Sequence, residues 1–240
     1  METQSKGNLT IDGIGSNAGG RYDRVVLNGV GTINDNIAAD EISINGVGTF
    51  RGETSAQRVS VNGTATFRSH VQTQAFNVGG NAKVQGDLEV EILDIDGNLK
   101  VEGHVKGDTI DNDGRLVIIG SCEVETFESH GQIKILEGLN AETVHLEIAL
   151  KCEIKEIGGS QIKVRRILPY ATKFLDNIFP TVLYIDQIEG DIVDVEYTDA
   201  KTISGHDIFI GEGCIVNQVE YTGTLKQHPS AIVKDARHVV

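Results

Sequence analysis

The stretch Val61-Asn62-Gly63-Thr64-Ala65-Thr66-Phe67 decides the fold, because its pattern recurs along the chain every 17 residues. Its glycine is one of seven at that constant spacing: Gly29, Gly46, Gly63, Gly80, Gly97, Gly114 and Gly131. The residue before each glycine is mostly Asn or Asp, and such pairs favour turns because both residues tolerate positive φ. A fixed period of this kind is the signature of a repeat architecture. The sequence therefore predicts a turn every 17 residues over at least seven repeats.

Apolar or small residues occupy six positions of each repeat, counted from the glycine as −4, −2, +2, +4, +8 and +10. Around Gly63 these positions are held by Val59, Val61, Ala65, Phe67, Val71 and Thr73. Steps of two residues are typical of strands with alternate side chains facing inward, and each longer step is a corner. Amphipathic α-helices are excluded, since they need steps of three and four throughout. The pattern predicts an all-β fold, a triangular parallel β-helix with about 17 residues per coil.

The side-chain volumes at positions +2 and +4 compensate for each other: a large residue at one position accompanies a small residue at the other. Where Phe50 and Phe67 occupy +4, the neighbouring +2 positions hold Gly48 and Ala65. Close-packed interiors require such compensation. We expect both phenylalanines to be buried and stacked on adjacent coils, and Gly63 to lie at a corner with backbone angles that other residues avoid.

The repeat divides the chain into four predicted segments. Residues 1–164 form the main β-helix, with a slip of register near Ile148, where the next glycine is missing. Residues 165–181 have apolar side chains at helical spacing, which predicts a short amphipathic helical insertion. Apolar pairs return over 182–225, which we expect to form additional irregular coils. Residues 226–240 are predicted to be a polar tail.

Composition and charge narrow the function classes. A net charge of −14 at pH 7 argues against nucleic acid or an anionic membrane as the main partner. The 39% hydrophobic content is enough to close a core, which excludes disorder. No apolar run is long enough to span a bilayer, and the first residues lack the charged and apolar regions of a secretory signal. We expect a cytoplasmic protein.

No recognisable catalytic or cofactor motif occurs in the sequence. The seven histidines lack a metal-ligand spacing, and Cys122 and Cys152 fall on inward positions, as core residues do. Asp94–Gly97 and Asp111–Gly114 resemble fragments of calcium loops, but both lack the later ligands and fall on the turn of the repeat. We therefore expect no catalytic, cofactor-binding or metal-binding residues, and a protein that is not an enzyme and has no cofactor.

The unit Val61–Phe67 and the unit Ile44-Asn45-Gly46-Val47-Gly48-Thr49-Phe50-Arg51-Gly52 resemble bactofilins, the polymer-forming cytoskeletal proteins of bacteria. The resemblance is best over residues 9 to about 160. It implies a right-handed β-helix that assembles head to tail into filaments without bound nucleotide and organises cell shape, the envelope or motility machinery. It also implies that the partner is the protein itself, another bactofilin-like subunit, or an envelope or motility protein, at the inner face of the cell membrane. The chain departs from the family in its helical insertion and in having almost no disordered tails.

An independent physical argument also predicts assembly. In a β-helix the backbone N–H and C=O groups of each coil bond only to the neighbouring coils. The end coils therefore expose strand edges that a second subunit can cover. Repetition of that contact gives an open filament. The first coil, predicted to be 16 residues long, is the expected assembly interface, with candidate residues Leu9, Ile11, Val25 and Leu27. A second candidate contact, with a partner protein or a membrane, comprises Arg165, Arg166, Tyr170, Phe174 and Phe179.

Two alternatives to a filament remain open. The first is a non-polymerising β-helix module that holds a protein partner on its flat faces or on the insertion. The second, more distant, is a β-helix enzyme acting on carbohydrate or acyl substrates. A cluster of carboxylates or histidines in the folded protein would favour the enzyme, and filaments in negative-stain micrographs would favour the scaffold.

Overall fold

The computed structural model describes residues 7–167 and 181–239. Within those ranges every regular element is a β-strand, neighbouring strands pair in parallel, and no helix occurs. The backbone divides into two compact units, which are described separately. One comprises the described residues up to 108 together with 114–119, and the other comprises 109–113 and the described residues from 120 onward. Each is a parallel β-solenoid, so the predicted fold class is confirmed.

The first unit alternates long and short strands. One stack begins with the four-residue Asn8–Ile11 (β1) and continues with eight-residue strands: Gly20–Leu27 (β3), Ile37–Ile44 (β5), Thr54–Val61 (β7), Val71–Val78 (β9) and Leu88–Ile95 (β11). A second stack contains four-residue strands throughout: Ile14–Asn17 (β2), Val30–Ile33 (β4), Val47–Phe50 (β6), Thr64–Phe67 (β8), Asn81–Val84 (β10), Asn98–Val101 (β12) and Arg115–Ile118 (β14). Val105–Asn112 (β13) contributes residues to both units.

Strand pairing in the first unit follows the sequence period. Thr54 of β7 pairs with Val71 of β9, an offset of 17, and the same offset holds along both stacks. The first coil is one residue shorter, since Asn8 pairs with Arg24. The 16-residue first coil predicted from the sequence is therefore confirmed.

Each eight-residue strand carries a corner in its middle. In β7, Thr54 and Ala56 face inward, Gln57 and Arg58 both face outward, and inward alternation resumes at Val59. The six positions predicted to face inward around Gly63 are each at most 5% exposed. A long strand bent in two and one short strand thus supply the three faces of each coil.

Phe50 and Phe67 lie in the core as predicted. Both are fully buried, and their rings stack with centroids 4.8 Å apart and an interplanar angle of 19°. Phe76 meets Phe67 edge-on at 5.8 Å. Aromatic pairs in such offset or edge-on arrangements are worth about 0.5–1.5 kcal/mol beyond their area burial. The prediction of which positions of the repeat face the core is therefore confirmed.

Gly63 lies at a corner between strands, as predicted, but not because of its backbone angles. Positive φ among the described glycines occurs at Gly7, Gly19, Gly20 and Gly213. A Cβ on Gly63 would instead lie closer than 3.0 Å to the carbonyl oxygens of Asn45 and Gly46 on the preceding coil. The recurring glycine is needed because the backbones of successive coils approach too closely for a side chain.

The asparagine before each early glycine forms a hydrogen-bonded ladder. Asn28 Nδ2 donates to Asp12 Oδ1 at 2.8 Å, and Asn45 Nδ2 donates to Asn28 Oδ1 at 2.9 Å. Asn62 Nδ2 continues the ladder to Asn45 Oδ1 at 3.1 Å. These residues therefore recur because their amides bond across coils, and not because they tolerate positive φ.

The second unit has less regular coils, and its strands run to as many as 17 residues. Its strands are Cys122–Ser129 (β15), Gln132–Ile148 (β16), Cys152–Arg166 (β17), Leu183–Val195 (β18), Thr198–Ile210 (β19), Ile215–Tyr221 (β20), Leu225–Gln227 (β21) and Ile232–His238 (β22). The pairing offset is 17 between β15 and β16 but 19 where Lys134 of β16 pairs with Glu153 of β17. The register shifts between Ile135 and Gly138, which confirms a slip in this part of the chain.

Two predicted segments are corrected by the strands of the second unit. Strand β17 continues through Arg166, so the helical insertion does not begin at 165, and residues 168–180 of that prediction lie outside the described residues. The tail predicted over 226–240 contains β22, which pairs in parallel with β20 from Ile215↔Ile232 onward. A strand over polar residues is possible here because its backbone bonds to β20 while most of its side chains stay exposed.

Candidate assembly edge and lateral groove

The first coil presents strand edges to its surroundings. Among the residues that the structure describes, β1 pairs with β3 and β2 pairs with β4, each through one edge. The opposite edges have no strand partner within the described part of the chain. Because such a row of backbone N–H and C=O groups is a template for pairing with another chain, this coil is a candidate assembly edge.

Only half of the predicted interface residues belong to that edge. Leu9 and Ile11 lie on β1 and pair with Val25 and Leu27 of β3, respectively. Val25 and Leu27 are fully buried beneath the first coil. The prediction is wrong for these two residues, because they form the second coil and contact solvent nowhere. Leu9, which is half-buried, remains a candidate, and Ile11 lies on the same edge strand but is buried, with 9% of its surface exposed.

An exposed apolar stripe on the first unit was not predicted. Ile14 of β2 is 91% exposed, and its register partners Val30 and Val47 are about 45% exposed. We call these three residues the N-terminal stripe. The sequence carried a signal for it, since the position after the repeated glycine is Val in the first two repeats and Thr or Asn in the next ones.

The second unit carries a lateral groove with a volume of about 850 Å³. Its floor contains a column of glycines, Gly159, Gly190 and Gly205, which pair across successive coils. A Cβ on Gly190 would lie 2.7 Å from the carbonyl oxygen of Gly159, so the floor cannot carry side chains. Five carboxylates line the groove, from Glu123, Glu142, Glu189, Asp191 and Glu220, together with His206 and Tyr221. The fold thus brings together acidic side chains that are far apart in sequence.

Arg165 and Arg166, predicted to contact a membrane or a partner, are engaged within their own unit. Arg165 donates to the carbonyl oxygens of Val164 and Asp194 at 2.9 and 3.1 Å, and it forms an ion pair with the Asp194 carboxylate. The Arg166 guanidinium lies 4.4 Å from the centre of the Tyr197 ring, a cation–π contact. The other three residues of that prediction, Tyr170, Phe174 and Phe179, lie outside the described residues.

The three cysteines are core residues. Cys122, Cys152 and Cys214 are buried. Burial raises the pKa of the Cys122 thiol to about 12 and that of Cys214 to about 11. Since the thiolate is the reactive form of cysteine, these thiols are inert near neutral pH.

No helix among the described residues is long and apolar enough to cross a membrane.

These features define the class of protein: a parallel β-solenoid with an open first coil. The chain is similar to two uncharacterised proteins of Bacillus subtilis, YhbF and YhbE. It is 32% identical to YhbF over 82 residues, which are 34% of this chain and 33% of YhbF. It is 42% identical to YhbE over 53 residues, 22% of each chain. The matched residues thus span a third or less of these relatives. No family model matches the chain, and no solved structure matches it significantly.

Proposed function

We propose that the protein is a structural scaffold that assembles end to end into nucleotide-independent filaments through its first coil. The observation that carries this proposal is the pairing of β1 and β2 through one edge each among the described residues. The resemblance of the repeat to bactofilins supports the same function. The proposed partner is a second copy of the chain or a bactofilin-like subunit. The proposed location is the cytoplasm, as part of a cytoskeleton that organises the cell shape, envelope or motility machinery.

The first coil offers both polar and apolar contacts to a docking subunit. Strands β1 and β2 comprise four residues each, and a new strand at the usual spacing of about 4.8 Å would bond to their free edges. Leu9 is half-buried and would be covered by the added coil, as Leu9 covers Val25. Full burial of a leucine side chain is worth about 1.5–3 kcal/mol, and each net hydrogen bond about 0.5–1.5 kcal/mol. Several such contacts together would oppose the cost of association, which is about 4–15 kcal/mol.

The proposal is tested by a charge placed on the first coil. Leu9→Lys combined with Ile14→Lys puts two ammonium groups at the edge, where docking would desolvate them. Ile92→Lys is the matched control, because Ile92 is a 56% exposed side chain on β11, far from the first coil along the stack of strands. We expect the wild type and Ile92→Lys to pellet and to form filaments in negative-stain micrographs, and the double variant to do neither. Equal pelleting of the double variant would contradict an assembly contact at the first coil.

The groove of the second unit is lined by a cluster of carboxylates, so it bears on both alternatives to a filament, the binding module and the β-helix enzyme. Its five carboxylates and its volume suit a non-polymerising module that binds a partner through cationic groups. This candidate predicts a wild type that stays a monomer or a small closed oligomer and does not polymerise at any concentration. Wild-type sedimentation therefore separates it from the scaffold.

A further inference from the structure

Three acidic or imidazole side chains meet on the outer surface of the second unit. Asp113 and His130 occupy the same position of successive repeats, and His130 Nδ1 lies 2.9 Å from Asp113 Oδ1. Asp111 lies two residues before Asp113 on the same side of the strand. One ligand atom from each of Asp111, Asp113 and His130 falls within 4.8 Å of the others. The cluster thus combines one imidazole with two carboxylates from neighbouring coils.

The surrounding structure holds this cluster in place. Asn112, between the two aspartates, is fully buried, and its Nδ2 donates to Ser129 Oγ on the next coil at 2.8 Å. Ser129 is the residue before His130, so the two coils are tied together directly beneath the cluster. On the far side of the imidazole, His130 Nε2 lies 3.5 Å from Glu147 Oε2. Asp111 thus projects from β13, and Asp113 and His130 project from the tight corners that follow β13 and β15, where His130 N–H donates to Asn112 O at 2.9 Å.

We propose that Asp111, Asp113 and His130 bind one divalent transition-metal ion such as Zn²⁺. Imidazole nitrogen together with carboxylate oxygen is a donor set that favours such ions over Mg²⁺ and Ca²⁺, which take oxygen ligands alone. Zinc binds nitrogen and carboxylate oxygen at about 2.0–2.2 Å, so adjacent ligand atoms lie roughly 3 Å apart. The observed 2.9 Å between His130 Nδ1 and Asp113 Oδ1 meets that requirement.

Glu147 has a separate role as a positioning residue. A metal-bound imidazole usually donates its other N–H to a carboxylate, which fixes the tautomer and the ring orientation. Glu147 Oε2 lies 3.5 Å from His130 Nε2, so in the metal-bound state it would accept that N–H and leave the Nδ1 lone pair for the metal ion. His145 Nε2 lies 3.7 Å from the other oxygen of Glu147, which adds a second imidazole beside this carboxylate.

Calorimetric titration of the full chain with Zn²⁺ alone tests the site. We expect one ion per chain, at least tenfold weaker binding of Mg²⁺, and at least a tenfold loss of Zn²⁺ affinity in His130→Ala and in Asp111→Asn. His70→Ala is the matched control. His70 Nε2 also lies near a carboxylate, 3.9 Å from Glu89 Oε2, but His70 belongs to no cluster of three ligand side chains among the described residues. Circular dichroism checks that each variant is folded. The proposal is overturned if the wild type binds no Zn²⁺, or if His130→Ala binds as the wild type does.

The positioning role of Glu147 has its own readout. Glu147→Gln should weaken Zn²⁺ binding by about 10–100-fold and alter the visible absorption spectrum of the Co²⁺-substituted protein, while circular dichroism stays unchanged. Unchanged affinity and spectrum in Glu147→Gln would remove this residue from the site. Since neither measurement depends on filament formation, failure of the metal site and failure of the scaffold proposal are distinguishable.

Discussion

Single atoms decide which residues the repeat accepts at its corner, and Gly63 and Gly79 illustrate the difference. A Cβ at Gly63 would overlap the carbonyl oxygens of Asn45 and Gly46, whereas at Gly79 the nearest atom would be Asn62 Oδ1, at 3.5 Å. We predict that Gly63→Ala destabilises the fold by about 1–3 kcal/mol through overpacking. Gly79→Ala, the matched control, should be neutral or stabilising by up to about 1 kcal/mol. Urea unfolding measures both, and equal losses would contradict the close-approach account.

The core makes a second prediction at the residue scale. Phe67 is fully buried, stacks on Phe50 and meets Phe76 edge-on, so its truncation leaves a cavity among rigid coils. We predict that Phe67→Ala costs about 3–5 kcal/mol in the free energy of unfolding. Chemical denaturation measures the loss. A value below about 1 kcal/mol would mean that the coils collapse around the gap and that the stack contributes little.

At this scale the sequence predicted side-chain direction better than backbone conformation. The alternation that places Val59, Val61 and Phe67 in the core can be recognised in the amino-acid sequence, because side chains along a strand alternate with a period of two. The reason for Gly63 is not visible, since it depends on the distance between two coils. The cluster of Asp113 and His130 was missed for a related cause. Metal ligands are sought at short spacings, and here the neighbour in space is 17 residues away.

At the scale of strands, lysines on adjacent coils set the ionisation of individual carboxylates. Glu153 of β17 accepts from Lys134 Nζ, its register partner on β16, at 2.7 Å, and also pairs with Lys151. These contacts lower the pKa of Glu153 to about 2, and the hydrogen bond with Lys134 contributes more to the shift than the one with Lys151. A carboxylate with a lowered pKa stabilises the fold above its unfolded pKa near 4.5, and that contribution is lost as the pH falls toward 2.

This arrangement predicts a titration result. Lys134→Met should raise the pKa of Glu153 toward 4.5, and the variant should lose less stability than the wild type between pH 4.5 and 2. Lys155→Met is the control, since Lys155 lies beside Glu156 and not Glu153. Carboxyl carbon NMR titration measures the pKa. An unchanged pKa in Lys134→Met would show that this pair does not form across the two strands in solution.

Element boundaries followed the repeat only where the repeat is regular. The coil offset of 17 predicted β3 to β12 directly, because each corner has a glycine or a change of step. Strand β22 was missed, since a strand at the end of a stack needs backbone partners but few apolar side chains. Arg165 and Arg166 were assigned to a helix because the residues that follow them carry apolar side chains at helical spacing, yet both continue β17.

At the scale of the whole molecule, the account depends on what covers the first coil. The sequence indicated that the end of the solenoid is an edge but not which side chains form it, because burial of Val25 and Leu27 depends on how β1 lies over β3. The structure leaves Leu9 and the N-terminal stripe as the side chains available to a second copy. Self-association through these residues is the central claim.

Sedimentation velocity of the wild-type protein over a wide range of concentrations tests that claim most directly. End-to-end assembly predicts that the sedimentation coefficient rises with concentration without reaching the plateau of a closed oligomer, since each added subunit presents a new first coil. The Leu9→Lys/Ile14→Lys variant should sediment as a monomer throughout. A wild type with one concentration-independent monomer peak would contradict the scaffold function.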